Sequence, residues 1–510
     1  MGGSRIFPSH GWVLRLLGAS LMEAHDTTKR PGRFTKRGRI ILTGILVVVL
    51  LLAGPLYSHR HQIHLLIRAW SVPPPQPVHI TPLALPASRA TPGRLTASDW
   101  TMYHANPART GYVAGMPNPT RLTRLWVTPL DGAVYAEPLV VAGRVVVATE
   151  NDTLYALDAR TGRVQWRLSV GSPVPLAALP CGNIDPLGIT GTPVYDPRTG
   201  LVFAVAEITG PAHILVGVDL KTGHLRVRRA IDPPGTDPQA HQQRGALALW
   251  GDRVYIPFGG LLGDCGAYHG LLVAARTDGT GALLGYQVPT AREGGIWAPS
   301  GPVIDPQGHL YVTVGNGAAT QGPWDHSDAV LRLSPTLQLE DGFAPQSWPS
   351  DNAADLDLGS MGPVLLPRGL LYAEGKSGQG YLLRAGHLGG IGGQIQTLAL
   401  CSAYGGAAVR GSSLFIPCSD GLRQLTLASG GRLVAGWHAP QAVTGSPVIG
   451  GQTIYSLDPG GVLYALNAAT GRVRATLSVG ATSRFATPTL SAQRIFIGTL
   501  NGVVAVGTTS

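Results

Sequence analysis

The sequence predicts an all-β protein: an eight-bladed β-propeller of four-stranded antiparallel blades, its N-terminal strand closing the last blade, preceded by one transmembrane helix. Three observations predict it. The frame "LYALDARTGRVQW" at 154–166 returns as "LYALNAATGRVRA" at 463–475. A Pro in a G-x-P-V-like setting recurs at irregular multiples of one spacing. Gly and Pro supply 69 and 41 of 510 residues, while charged residues make up only 13%, against about 25% in an average soluble domain. Such a chain is built for turns, and its length must be read through its repeats before domains are counted.

Within the repeated frame, Leu154 to Leu157 alternate as a strand does. "DARTG" then supplies a turn, and "RVQWRLSV" alternates again. Asp158 is suited to accept backbone N–H groups in an Asx-type turn, and Gly162 to a positive φ. Upstream, "EPLVVAGRVVVATEND" reads as two further strands joined at Ala142 and Gly143. One unit is therefore four antiparallel strands.

Unit starts follow Pro138, Pro193, Pro302, Pro363, Pro447 and Pro488. The second and fourth intervals are about double, and in those gaps "GALALWGDRVYIP" and "GAAVRGSSLFIP" put Leu247 and Ala408 where Pro is expected. That makes eight starts. The eighth unit supplies three strands before the chain stops, and "LTRLWVTPL" at 122–130 is a strand with no partners upstream. Joining the two closes a ring, which buries blade faces that a lone four-stranded sheet leaves open.

The formal charge of +10 is uneven. Residues 1–71 hold ten Lys or Arg and two acids, or +8; the rest hold 29 against 27, or +2. The body lacks the clustered cations a phosphate-gripping groove needs, so nucleic acid is excluded as a partner. Residues 1–39 form a basic tail, and Ile40 to Tyr57 run 18 residues without a charge, long enough to span a bilayer. Positive charge before the span predicts a single-pass anchor with a cytoplasmic N-terminus and an extracytoplasmic propeller, with a cleaved signal peptide as the rival reading. Residues 58–98 form a linker in which Pro-rich "VPPPQPVHITPLALPASRATPGRLT" is an extended spacer. The propeller occupies 99–510 and is read as a single, monomeric ring.

The pattern A-x-D-x-x-T-G-x-x-x-W, complete as Ala156, Asp158, Thr161, Gly162 and Trp166, resembles the tryptophan-docking motif of PQQ-like, or quinoprotein-like, propellers. "DWTMYHANPARTGY" at 99–112 is similar to the lead-in before such propellers, so the resemblance covers 99–510. Later copies are degraded, with Val227 and Ala475 where Trp would stand. The resemblance implies that Trp166 packs on the neighbouring blade. It also implies two functions that fold alone does not separate. Some members are PQQ-dependent dehydrogenases, many of which hold the quinone with a vicinal disulfide, a Trp platform and acidic residues around Ca²⁺ or a lanthanide. Others are non-catalytic scaffolds.

The chain has no Cys–Cys pair. Its four cysteines, in an exported domain, read as two disulfides. Cys401 with Cys418 would staple blade six, and Cys181 with Cys265 would tie blades two and three. No C-x₂-C spacing supports the zinc alternative.

The interesting polar residues lie on long loops of blades two to five, where function usually resides. They include His241, Gln242 and Arg244; Glu293 and Trp297; Asn316, Asp325, His326 and Asp328; Asp351, Asn352, Asp355 and Asp357; and Lys376. For any single Asp or Asn, a turn-capping role is the plainer reading. The run 351–362 fails the calcium-loop pattern, with Leu356 at the required Gly and Gly362 at the required Glu. The main expectation is a membrane-anchored module that binds a protein or glycan at the ring's mouth, with Trp297 either a sugar- or quinone-stacking platform or a packed blade-edge Trp. The alternative is a PQQ- and Ca²⁺-dependent dehydrogenase of alcohols or sugars. There Glu293, Asn316 and Asp355 or Asp357 are the metal ligands, with Lys376 or Arg244 near the quinone.

Overall fold

The computed structural model describes residues 95–439 and 443–509. The basic tail, the expected span at 40–57 and nearly all of the linker lie outside the described residues. Among those described, no helix is long and apolar enough to cross a membrane.

Eight antiparallel sheets form the ring. Blade 1 is Leu139–Val141, Arg144–Thr149, Thr153–Asp158 and Val164–Ser169, and blade 2 runs from Val194–Asp196 to Leu225–Ala230. Blades 3 to 7 begin at Ala248, Val303, Val364, Ala408 and Val448, and blade 8 at Thr489. Seven of the eight first strands open on the residue after the predicted marker. Blade 6 opens on Ala408 itself, so its marker position is Ala407. Short extra strands widen three blades: His241–Gln242 on blade 3, Gly390–Ile391 on blade 4 and Tyr112–Val113 on blade 7.

The ring closes as the sequence predicts. Arg121–Pro129 pairs antiparallel with Gly502–Thr509, Leu122 opposite Thr508. One apolar cluster then runs through three blades, with Val145 and Leu157 from blade 1, Phe496 and Val504 from blade 8, and Tyr455 and Leu463 from blade 7.

The turn chemistry explains the repeat. Asp158 Oδ1 accepts the N–H groups of Arg160 and Thr161 at 3.1 and 2.8 Å, and Gly162 takes φ 74°. Asp219 and Asn467 accept the equivalent donors two residues on in later blades. The glycine also receives the neighbouring blade: a Cβ on Gly223 would come within 2.8 Å of Trp166, whose Nε1 donates to Leu220 O at 2.9 Å. Trp126 docks in the same way on Gly162, and Trp437 on Gly471. Where Trp is replaced at position 227, Val227 meets Gly279 instead.

The lead-in does more than precede the ring. Trp100 bridges to Val140 of blade 1, and Tyr195 of blade 2 donates to Thr101 O. The buried Arg109 guanidinium donates to Leu247 O and Pro302 O, at the entries to blades 3 and 4. Val409 of blade 6 donates to Thr110 O, and Tyr112–Val113 joins blade 7. One segment thus ties six blades together before its chain completes the eighth.

Both expected disulfides are present, Cys181–Cys265 and Cys401–Cys418, with Cα atoms 6.0 and 5.7 Å apart.

Candidate functional site

The site is assembled at blades 3 to 5 by loops that depend on one another's backbone. Glu293, on the connection into blade 4, has φ 74°; its N–H donates to Tyr268 O and its carbonyl accepts from Gly270 N. Gly294 donates to Asn316 O, which aligns the two loops. Lys376, in the central hairpin of blade 5, donates its N–H to Asp357 O.

Asp357 is the hub. Its Oδ2 accepts the Trp297 Nε1–H at 3.0 Å and lies 3.1 Å from Lys376 Nζ, while Oδ1 accepts the Asn316 N–H at 3.0 Å. Only 4% of its side chain is exposed. Lys376 Nζ also reaches Asp355 Oδ1 at 2.6 Å and stands 5.8 Å above the Trp297 ring. Glu293 Oε2 lies 3.3 Å from Asn316 Nδ2, and Oε1 is ion-paired with Arg292. Gly315 makes the closeness possible, since a Cβ there would press on Trp297 Nε1 at 3.1 Å and Asp357 Cγ at 3.3 Å.

Burial, then repulsion from Asp357, raises the pKa of Glu293 and of Asp355 despite the neighbouring cations. Asp264 is likewise raised, first by burial and further by Asp357 and Glu293. Desolvation would lower Lys376, but Asp357 and Asp355 overcome it and hold the ammonium above its ordinary value. Asp264, Glu293, Asp355 and Asp357 face Lys376 and Arg292, four negative charges against two positive, so the cluster carries a formal −2.

The structure therefore brings together Glu293, Trp297, Asn316, Asp355, Asp357 and Lys376. Arg244 is set apart from them. Its guanidinium lies 5.3 Å from the centroid of Phe485, whose ring centre is 6.5 Å from that of Trp297. The other loop residues are struts. His241 is spent on Asp237 O and His269 O, and His326 sits against Trp324 and Tyr286. Asp325 accepts the Ser327 N–H and hydroxyl, as the turn-capping reading expects, whereas Asp351 takes the Ser347 hydroxyl and Asn352 accepts Gly317 N–H from another loop. Among the described residues, no three His, Cys, Asp or Glu side chains already form a metal cage. Sequence reasoning missed Asp264 and Phe485. Asp264 adjoins Cys265, whose bond to Cys181 borders the site, so the unusually long "GGLLGDCGAYHG" loop was the available signal.

Residues 123–257, about a quarter of the chain, match the family profile described as outer membrane protein assembly factor BamB (PQQ_2). Over those residues the repeats resemble the PQQ-like type. The chain is 26% identical over 306 residues to a polyvinylalcohol dehydrogenase of Sphingopyxis sp. (strain 113P3), a match covering 52% of this chain. The matched region spans 42% of the relative's length. Among solved structures it resembles the quinohemoprotein alcohol dehydrogenase of Comamonas testosteroni (16% identity, TM-score 0.62, covering 81% of each chain). It also resembles a europium-containing methanol dehydrogenase (15%, TM-score 0.64, covering 81% of this chain and 98% of that one) and BamB from Moraxella catarrhalis (17%, TM-score 0.52, covering 76% and 98%). At these identities the solved structures establish the shared propeller fold and leave the chemistry to the site.

Proposed function

We propose that the PQQ-like propeller is a quinone-dependent alcohol dehydrogenase whose site is the cluster around Asp357. The observation that carries the reading is one carboxylate oxygen shared by the Trp297 indole N–H and the Lys376 ammonium, inside a cluster left at −2. The relative named as a polyvinylalcohol dehydrogenase supports it over the scaffold reading.

The residues fit the implied groups. Carboxylate and amide oxygens are the hard donors Ca²⁺ takes, and burial, with added repulsion from Asp357, raises Glu293, Asp355 and Asp264, a cost that a bound cation would offset. Glu293, Asn316 and Asp357 would hold the ion. The Trp297 ring would be the platform for the quinone, and Lys376 would donate to its oxygens. Bound there, pyrroloquinoline quinone supplies the two-electron acceptor for an alcohol carbon. The chain's own part is to orient. Trp297 and Asn316 keep Asp357 in one rotamer, and Lys376 locks the Asp355 and Asp357 loop to blade 5. The same proposal has the ring carried outside the cytoplasmic membrane by residues 40–57, which agrees with its two disulfides.

The test is quinone binding with and without Ca²⁺, followed by Trp fluorescence, and then dye reduction with a panel of alcohols. Saturable quenching that requires Ca²⁺ and is lost in Asp357→Asn is expected. Absence of binding at micromolar quinone would discard the enzyme and return the scaffold reading.

A further inference from the structure

The two ends of the ring carry different loops. The turns between first and second strands and between third and fourth strands lie together at one end: Ala159 N–H donates to Gly143 O in blade 1, and Leu220 N–H to Gly200 O in blade 2. Because the strands alternate in direction, the loops that hold Trp297, Asn316, Asp357 and Lys376 lie at the other end. The turn end has no part in the dehydrogenase reading.

Charge at the turn end is lopsided. The outer strands of blades 7, 8, 1 and 2, with the turns leading into them, cover 467–478, 121–129, 158–169 and 219–230 and hold eleven Lys or Arg against two Asp, or +9. The equivalent stretches of blades 3 to 6, at 276–287, 334–344, 385–399 and 428–438, hold two Arg against three acids. Each basic unit supplies only two to four cations, so no run in the sequence marks them. The ring gathers them. Trp126 docks blade 8 on blade 1 and Trp166 docks blade 1 on blade 2, while Arg124 Nη2 donates to Ser478 O of blade 7 at 2.8 Å.

Among the described residues, none of the eleven is ion-paired; the pairs beside these turns lie in blades 3 and 4, Arg276 with Asp278 and Arg332 with Glu340. The two acids of the sector, Asp158 and Asp219, are spent on turn N–H groups. Arg121, Arg160, Arg163, Lys221 and Arg472 are exposed, and Leu125, Val127 and Val164 stand exposed among them.

We propose that this sector docks on an anionic phospholipid surface. Headgroup phosphates attract basic side chains, and interspersed apolar ones enter the boundary below the headgroups. The cations spread over an arc of four blades at one end of the ring, which fits a broad surface better than a single polyanion strand. Seated this way, the ring turns Trp297 and Lys376 away from the lipid and leaves their mouth open to solutes.

Hydrogen exchange on the full-length protein in nanodiscs tests the proposal, with no quinone or Ca²⁺ present. Discs of phosphatidylcholine control for any anchoring through residues 40–57, and a second set carries roughly one-third phosphatidylglycerol. Amides of 158–163, 219–224 and 467–472 should exchange at least about fivefold more slowly in the anionic discs, and the difference should vanish in about 0.5 M salt. The turns at 334–338 and 385–395 should not respond. Arg160→Glu, Arg163→Glu and Lys221→Glu together should abolish the protection without moving the melting temperature, whereas Arg432→Glu on blade 6 should leave it intact. Equal exchange in both discs, protection that survives the triple reversal, or the same protection from a soluble DNA duplex added to neutral discs overturns the proposal. The quinone titration reads the opposite end of the ring, so the two tests fail separately.

Discussion

Lys376 Nζ stands 3.1 Å from Asp357 Oδ2, the oxygen that also takes the Trp297 indole N–H. Removing the ammonium leaves two carboxylates facing each other across a half-buried mouth. Lys376→Met is expected to lower quinone affinity by roughly 10- to 100-fold, the range for a hydrogen bond to a charged group, with Lys376→Arg recovering part of it. Fluorescence titration with quinone checks this without reliance on turnover, and unchanged affinity in Lys376→Met removes Lys376 from the site.

Ring closure rests on Trp126, whose indole lies against Gly162 of blade 1 and donates to Ala159 O at 3.3 Å. A Cβ on Gly162 would come within 2.7 Å of that ring, at a φ of 74° that side chains resist. Trp126→Ala and Gly162→Val should each destabilise the propeller by about 2 kcal/mol or more. Chemical denaturation measures both. Since the two act at one contact, the double variant should lose less than the sum.

The two disulfides should differ in their contribution. Cys181–Cys265 closes a separation of 84 residues and Cys401–Cys418 one of 17. In the chain-entropy account these give about 4.6 and about 3.1 kcal/mol. Paired Cys→Ala variants, compared in urea, should show the longer bridge stabilising more; the reverse order would show that local strain or residual structure dominates.

The ring should lose stability as the solution turns alkaline. Burial, then repulsion from Glu207 and Glu150, lifts Asp152 to about 8, and burial lifts Glu150 to about 8. Desolvation opposes the charge on His213, but Asp232 and Glu207 prevail and raise it to about 10. All three bind protons more tightly folded than unfolded, so their stabilisation is full below the unfolded pKa and declines as pH climbs through the folded one. The melting temperature should fall between pH 5 and pH 8. Asp152 is fully buried with neither oxygen partnered, at φ 53°, a conformation Asn accepts. Asp152→Asn should therefore stabilise the protein at pH 8 by roughly 1–2 kcal/mol and flatten that part of the profile. Calorimetric scans at the two pH values decide it.

Much of the fold was legible because its determinants are local. Alternation along Leu154–Leu157, the Asp158 turn and the glycine after it lie within a dozen residues of one another. Repetition of that unit sets both the blade number and the orphan strand at 122–130. The disulfide partners were also readable, since four cysteines on two neighbouring pairs of loops leave few sensible bonds. Glu293, Asn316, Asp357, Lys376 and Trp297 were found as polar residues on long loops, without a reason to prefer them over Asp325, His326 or Asp351.

The sequence by itself thus determined a ring of eight four-stranded units, sealed by its own beginning, and the long loops that hold the candidate site. Only the tertiary structure decided that Asp264 joins the acidic cluster, that Arg244 stands apart behind Phe485, and that residues 100–113 lace six blades together. The reason is physical. Strand and turn preferences act between neighbours in the chain, whereas the direction of a loop side chain is set by the opposing blade, which exists as a partner only after the circle has closed.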